Sequence, residues 1–177
     1  MKSSLISFVM IIFFIVACGE KKIEPQVDFT EGDSIPSQES WGDTIFFSEN
    51  GQLQAKLISS HLKEFSDIKI KYLDSIKIFF YKNSEKPSSI LTADKGIVND
   101  VLHKMQADGH VIVTGANGRI LKTPELIWLN KKNKIYSDKQ VWISDNGEII
   151  EGVGFESDKD LDNYVIRKIT VITDKVK

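Results

Sequence analysis

Hydrophobic and polar residues alternate along most of the chain after Thr44, at the two-residue period of a β-strand. Residues 141–143 and 165–172 are rich in the β-branched and aromatic side chains that favour strands. Such runs recur at a period of roughly fifteen residues, somewhat longer than is usual for sandwiches and barrels. Residues 53–65 come closest to a helical period, but strand alternation around Ile58 fits them equally well. We therefore predict an all-β, antiparallel fold in which consecutive strands are neighbours.

Short polar segments separate these runs and predict the turns. Asn-Gly and Asp-Gly pairs accept the positive φ angles that tight hairpins require. The predicted turns are Asn50-Gly51, Asp108-Gly109, Asn117-Gly118, Asn146-Gly147 and the polar residues 131–134.

The alternation places one firmly apolar face opposite a mixed face that carries Lys122, Gln140 and Trp142, or Ile112 and Ile127. A register error of one residue would exchange the two faces. If the strands form two sheets with their apolar faces inward, these sheets would either close over a core or stay partly open as a groove. Periodicity does not distinguish these arrangements. The residues predicted to line the interior are Val111, Val113, Leu121, Leu126, Trp128, Ile135, Val141 and Ile143.

The N-terminus has the pattern of a secretory signal, with Lys2 before an apolar stretch at residues 5–17. This stretch is short for a bilayer-spanning helix. It ends in Ile-Val-Ala-Cys at residues 15–18, which resembles the lipobox of bacterial lipoproteins, where the cysteine thiol receives a diacylglycerol. The alternative, a structural cysteine ending a transmembrane anchor, fits less well because polar residues 19–22 follow at once. We expect a lipid on Cys18, which anchors the protein to a membrane.

Residues 19–40 contain Pro25, Pro36, acids and serines but few large apolar groups, and we interpret them as a tether. A docked extended segment is the alternative, since Ile23, Val27 and Phe29 can pack locally. The predicted organisation is a signal peptide at 1–17, a lipidated tether at 18–40 and a β-domain at 41–177. Cys18 is the only cysteine, so we expect no disulfide.

The charge balance and the polar residues exclude several classes of function. The chain has 23 basic and 25 acidic residues and no basic stripe, so we predict no nucleic-acid partner. The histidines His61, His103 and His110 lack metal-ligand spacing, and we predict no metal and no cofactor. The acids Asp94, Asp100 and Asp108 adjoin turn residues, and nothing around Ser59-Ser60-His61 would activate a nucleophile. We predict that the protein is not an enzyme.

An ordered series of short motifs lies between residues 91 and 172. The motifs are Leu91-Thr92-Ala93-Asp94-Lys95-Gly96, Gly109-His110-Val111-Ile112-Val113, residues 118–123 with Leu126 and Trp128, residues 135–137 with 141–143, and Gly152-Val153-Gly154-Phe155 with Asp158. Their order and spacing resemble the LptC family, the periplasmic component of the lipopolysaccharide export machine. A soluble bridge protein of the same pathway shares the repeat, and the N-terminal anchor favours the LptC family over the bridge protein. Familiar members have a transmembrane helix where this chain has a sequence that resembles a lipobox.

The resemblance implies a twisted, partly open antiparallel β-jellyroll with an apolar groove. The groove would shield the acyl chains of lipopolysaccharide between the inner-membrane ABC transporter and the bridge protein. A last strand without a later partner leaves an unpaired edge, which the resemblance assigns to the bridge protein. The edge residues are Tyr164, Ile166, Ile169, Thr170 and Ile172.

The family role implies that the lipid anchor holds the chain on the periplasmic side of the inner membrane. Gly19 after the lipidated cysteine suggests outer-membrane sorting under the enterobacterial rule, and the outer membrane is therefore the alternative. The alternative function is a structural envelope lipoprotein that docks partner proteins without carrying lipid.

Overall fold

The computed structural model describes residues 35–82 and 86–174, which belong to one compact unit that starts at Ile35. Within these residues almost every segment is a β-strand, and the one helical segment is the 3-10 turn Asn130–Lys132. A membrane-spanning helix is absent from this described part of the chain. The strands are β1 (Gln38–Trp41), β2 (Thr44–Glu49), β3 (Gln52–Ile58), β4 (His61–Phe65), β5 (Ile70–Tyr81), β6 (Pro87–Asn99), β7 (Lys104–Gly115), β8 (Ile120–Leu129), β9 (Lys134–Asp145), β10 (Glu148–Asp158) and β11 (Tyr164–Asp174).

All eleven strands belong to one antiparallel sheet that forks at β5. The first half of β5 pairs with β4, which pairs with β1, whereas its second half pairs with β3, which pairs with β2. From β5 to β11 each strand pairs with the next along the chain. Among the described residues the sheet is therefore open, with unpaired edges at β1, β2 and β11. This confirms the predicted all-β antiparallel fold. Consecutive strands are neighbours from β5 onward, whereas at the N-terminal end β1 pairs with β4 and β3 pairs with β5.

A line of irregular positions crosses the long strands near their midpoints, and we call it the crease. Backbone φ is positive at Ser75 in β5, at Gly109 and His110 in β7, and at Gly154 in β10. Such bulges bend a strand and increase its twist. The pairing register shifts at the same level between Thr92 and Lys95 in β6, between Lys122 and Ile127 in β8, and between Val153 and Phe155 in β10.

The prediction of a hairpin turn at Asp108-Gly109 is wrong, because this pair forms the crease inside β7. Gly109 has a φ of 76°, and a Cβ there would collide with the carboxylate of Asp94. The Nδ1 atom of His110 lies 2.7 Å from Asp94 Oδ2 across the same bulge. An Asp-Gly pair supplies the positive φ that a bulge needs as readily as the φ of a turn, so the local sequence does not separate the two.

The other predicted turns are present. Asn50-Gly51 and Asn146-Gly147 each form a two-residue hairpin loop with positive φ at both positions. Asn117-Gly118 lies in the connection between β7 and β8, with a φ of 87° at Gly118. Residues 131–134 contain the end of the 3-10 turn and the start of β9.

The crease divides the sheet into two halves that face each other. The upper half contains β2, β3 and residues 76–81, 87–93, 111–115, 120–123, 140–145, 148–153 and 168–174. The lower half contains β1, β4 and residues 70–74, 95–99, 104–108, 125–129, 134–137, 155–158 and 164–167. Far from the crease, Phe80 of the upper half meets Trp128 of the lower half with ring centroids 5.0 Å apart. Phe47 approaches the same Trp128 ring at 5.1 Å. We call this seam between the free ends of the two halves the mouth.

Strand β1 begins at Gln38, before the predicted start of the domain at residue 41. The backbone N–H of Ser37 donates to the carbonyl of Glu64, and the Trp41 ring stacks on His61 at 5.1 Å. The end of the predicted tether therefore pairs with the sheet. Cys18, the predicted signal peptide and the rest of the tether lie outside the described residues.

Candidate functional site

One aliphatic side chain from each of nine strands forms a continuous row across the inner face of the upper half. Neighbours in this row are register partners on adjacent strands, and strand spacing makes the row roughly 40 Å long. The row contains no charged or polar side chain. We call it the aliphatic row, and it consists of Ile45, Leu57, Ile78, Leu91, Val113, Leu121, Ile143, Ile150 and Ile172.

All eight residues predicted to line the interior face it, and each is at most 2 % exposed. On the opposite face Lys122 and Gln140 are exposed and Trp142 is partly exposed, as the alternation predicts. The interior is a packed hydrophobic core, because the two halves close on one another. Contact of these residues with lipid stays a prediction. The eight residues are Val111, Val113, Leu121, Leu126, Trp128, Ile135, Val141 and Ile143.

The few polar side chains inside the crease bind one another. Thr123 and Ser137 lie 3.2 Å apart through their hydroxyl oxygens, and Thr123 Oγ1 donates to the carbonyl of Gln140 at 3.0 Å. Both hydroxyls are buried, and hydrogen bonds remove the cost of burying them. The interior therefore stays uncharged between the crease and the aliphatic row.

Solvent exposure changes sharply along the aliphatic row. Val113, Leu121 and Ile143 are fully buried, whereas Ile172 at the C-terminal end is 60 % exposed. Ile169, which is in register with Gly152, is 52 % exposed. The apolar inner face thus reaches solvent at the edge formed by β11.

Strand β11 pairs with β10, and within the described residues no strand pairs with its other edge. Of the predicted edge residues, Tyr164 and Ile166 are partly buried against the core, while Ile169, Thr170 and Ile172 are exposed. The register shifts at Glu151 and Gly152 on β10, which leaves Thr170 without a register partner. Binding of another chain at this edge stays a prediction.

Residues 159–163, which join β10 to β11, close the mouth, and we call them the mouth loop. The loop starts in the lower half and binds the free ends of upper-half strands. Lys159 Nζ donates to Gln54 Oε1 of β3 at 2.6 Å, and Ser89 Oγ of β6 donates to the carbonyl of Lys159. Ser88 Oγ donates to Asp160 Oδ1. These contacts tie the loop to two strands of the opposite half.

Two basic side chains of the upper half also hold the mouth loop. Lys82 Nζ lies 2.8 Å from Asp162 Oδ2 and 3.4 Å from Asp160 Oδ2. Arg119 Nη1 donates to the carbonyls of Leu161 at 2.7 Å and Asp162 at 2.6 Å. Hydrogen bonds to Asp162 and then Asp160 raise the pKa of Lys82, and Lys82 in turn lowers the pKa of Asp162. Lys82 and Asp162 therefore stabilise each other's charged state.

The mouth loop places Leu161 in the core at the cost of backbone strain. Leu161 is 0 % exposed and has a φ of 58°, in the left-handed region that leucine avoids. Burial of a leucine side chain contributes about 1.5–3 kcal/mol, which offsets a strain of about 1–2 kcal/mol. Lys159 beside it is only 5 % exposed, and this burial lowers the pKa of its ammonium group.

Sequence reasoning missed the mouth loop as a functional element. Its sequence, Lys-Asp-Leu-Asp-Asn at 159–163, has the composition of a solvated turn. The one available signal is Leu161, a large apolar residue among polar neighbours. Its burial depends on the opposite half of the sheet, which local patterning does not describe.

The residues considered for catalysis or metal binding have separate partners. Asp94 binds His110, Asp100 binds Lys71, and Asp108 accepts a hydrogen bond from Gln106. These are contacts between exposed or partly exposed side chains, and the pair of Gln106 and Asp108 lies within β7 itself.

His61 joins three strands at the N-terminal side of the lower half. Its Nδ1 lies 3.1 Å from Asp74 Oδ2 on β5, and its Nε2 lies 2.7 Å from Glu39 Oε1 on β1. Hydrogen bonds to Asp74 and then Glu39 raise the pKa of His61. The arrangement fits a pH-dependent contact that holds β1 to the sheet.

Comparison with known proteins complements this geometry. No curated protein matches the chain. The family model described as lipopolysaccharide-assembly, LptC-related matches residues 5–168, which include every strand up to β10 and the start of β11. The protein is therefore a component of lipopolysaccharide transport in the periplasmic part of the cell envelope. The chain belongs to the LptC-related family of lipopolysaccharide-assembly proteins.

Proposed function

We propose that this protein is a membrane-anchored periplasmic module that carries lipopolysaccharide along its apolar interior. It accepts the lipid from the inner-membrane ABC transporter and passes it to a soluble bridge protein at the β11 edge. Cys18 carries the lipid anchor, which holds the chain on the periplasmic side of the inner membrane. The outer membrane is the alternative site of anchoring.

The observation that carries this proposal is the aliphatic row. Acyl chains in water cost about 25 cal/mol for each Å² of apolar surface that they expose. A continuous uncharged face that spans nine strands supplies an apolar surface of matching character. The row is covered in the middle and reaches solvent at Ile172, next to the free edge of β11. That end is where a second jellyroll would continue the path.

The proposal is tested by a charge placed on either face of the same strand. Ile172 and Val171 are neighbours with exposures of 60 % and 43 %, and alternation points them to opposite faces of β11. In cells that depend on this protein, Ile172→Lys should reduce the lipopolysaccharide that reaches the outer surface, because an ammonium group obstructs the apolar path. Val171→Lys, the matched control, should leave delivery unchanged.

Equal delivery by both variants and the wild type would contradict transport along the inner face. Equal loss in both variants would indicate damage to the β11 edge and not to the apolar path. The anchor is tested separately: Cys18→Ser should leave an uncleaved or mislocalised precursor, and normal membrane residence of that variant would exclude lipidation there.

A second candidate function is that of an envelope lipoprotein that docks partners without carrying lipid. The packed middle of the interior favours this candidate, since Val113, Leu121 and Ile143 are each 0 % exposed. The two functions differ in the Ile172→Lys experiment, because docking through the backbone of β11 does not depend on the face that carries the charge.

A further inference from the structure

The mouth loop is the device that keeps the interior closed along the seam opposite the crease. It connects the lower half to β3 and β6 through Lys159 and Asp160, and Leu161 fills the space behind it. A lipid that enters the interior through this seam, and not at the free edge of β11, must pass the mouth loop. Such entry requires that the loop leave its present position.

The charges at the mouth favour one class of ligand. Lys82 and Arg119 project from the free end of the upper half. In the mouth loop they bind the carboxylates of Asp160 and Asp162 and two backbone carbonyls, and Arg119 Nε also lies 3.0 Å from Asp145 Oδ2 of β9. Lys82 is about half exposed at 54 %, so solvent reaches the pair. Two cations beside the opening of an apolar interior match an amphiphile whose headgroup is anionic.

We propose that Lys82 and Arg119 form a binding site for the phosphate-bearing headgroup of an amphiphile, that the mouth loop occupies this site in the closed protein, and that the headgroup displaces the loop and opens the mouth. This proposal rests on the proposed function, because it takes the interior as the site of the acyl chains. Asp160 and Asp162 occupy the positions of the phosphate oxygens until the lipid arrives.

The first experiment neutralises either partner of one ion pair. Lys82→Gln and Asp162→Asn both remove the contact between Lys82 and Asp162, whose side chains are 54 % and 47 % exposed. A merely structural ion pair predicts the same effect from both changes. The proposal predicts opposite effects, because Asp162→Asn releases Lys82 from the nearer of its two carboxylates, whereas Lys82→Gln removes a ligand contact.

The readout is photo-crosslinking of lipopolysaccharide to the purified full chain with a diazirine analogue of phenylalanine at Phe80, which contacts Trp128 across the mouth. Asp162→Asn should raise labelling about two- to fivefold and Lys82→Gln should lower it by about the same factor, the range expected for one exposed ion pair. Arg167→Gln and Asp138→Asn, which break an exposed ion pair near the crease and away from the mouth, should leave labelling unchanged.

The phosphate requirement is tested with lipopolysaccharide that has been dephosphorylated but keeps its acyl chains. It should label the wild type less than the native lipid does and should not distinguish the wild type from Lys82→Gln. Inorganic phosphate should not increase labelling by either lipid. Equal labelling by both lipids, or effects of the same sign from Lys82→Gln and Asp162→Asn, would overturn the headgroup site. Loss of labelling on addition of inorganic phosphate alone would assign the site to a free anion.

A disulfide tests the movement of the loop directly. Ser88 and Asp160 are in hydrogen-bond contact, so cysteines at both positions should form a bond that fixes the loop to β6. Oxidation should reduce labelling at Phe80 to background, and a reductant should restore it. Labelling of each single-cysteine variant should change with neither treatment. Full labelling of the oxidised protein would contradict the displacement of the mouth loop by lipid and would leave the proposed function intact. Absence of labelling in the unmodified protein would overturn both.

Discussion

The middle and the C-terminal end of the aliphatic row are alike in chemistry and opposite in environment. Leu121 in the middle is 0 % exposed, whereas Ile172 at the end is 60 % exposed. The difference arises because Leu121 has a paired strand on each side, whereas within the described residues β11 pairs with β10 alone. Lipid must therefore open the middle, while the end is already available to a partner. The interior thus serves as the core of the fold and as the proposed path of the lipid.

The largest expected effect is on the free energy of unfolding when aspartate is placed in the middle of the aliphatic row and, separately, at its C-terminal end. Leu121→Asp buries a carboxylate without a partner and should cost about 5 kcal/mol or more, enough to unfold the domain. Ile172→Asp should change the free energy of unfolding by less than about 1 kcal/mol, because its side chain stays in water. Denaturant unfolding measures both. A similar cost at both positions would show that the C-terminal end is covered in solution.

A smaller effect is expected at Leu161, where burial and backbone strain oppose each other. Leu161→Ala should destabilise the domain by about 2–4 kcal/mol through the lost side chain. Leu161→Gly should cost no more than the alanine change, because glycine accepts the φ of 58°. At Leu57, a buried strand residue, glycine should be worse than alanine by about 0.5–1 kcal/mol. The same ranking at both sites would contradict the strained conformation of the mouth loop.

The open end is also the place where a partner strand is expected to bind. Ile169→Pro and Thr170→Pro each remove one amide donor from β11 on either side of the register shift, and only a donor that points away from β10 can bind a partner strand. The variant that loses the outward donor should bind the soluble bridge protein at least about tenfold more weakly, which corresponds to about 1.4 kcal/mol. Thr170→Val, which keeps its donor, is the control in the pull-down. Full binding by two folded proline variants would exclude the β11 edge as the docking site.

The smallest effect concerns β1, at the other border of the sheet. The pKa of His61 is raised by Asp74 and Glu39, so this contact stabilises the fold fully below the unfolded pKa of about 6.5. The stabilisation is lost as the pH rises through the folded pKa. His61→Gln should therefore lower the Tm relative to the wild type at low pH and converge with it at high pH. His103→Gln is the control. A constant difference between about pH 5 and 8 would contradict this account.

The sequence predicts the faces of the strands well because the core requires a strict two-residue period. Trp128 and Ile135 were assigned to the interior by alternation alone, and both lie there. The crease was not predicted, since Asp108-Gly109 has the composition of a turn and its role depends on the neighbouring strands. The mouth loop was not predicted either. Its partners Gln54, Lys82 and Arg119 are distant along the chain, and their approach follows only from the folding of the sheet on itself.

The most direct test of lipid transport through the interior is a comparison of photo-labelling on the two faces. Small aliphatic diazirine residues are placed singly at Val113, Leu121 and Ile143 of the row, and at their neighbours Ile112 and Lys122 on the outer face. In cells that export lipopolysaccharide, the row positions should be labelled by the lipid and the outer positions should not. Equal labelling on both faces, or labelling confined to the outer face, would contradict the account.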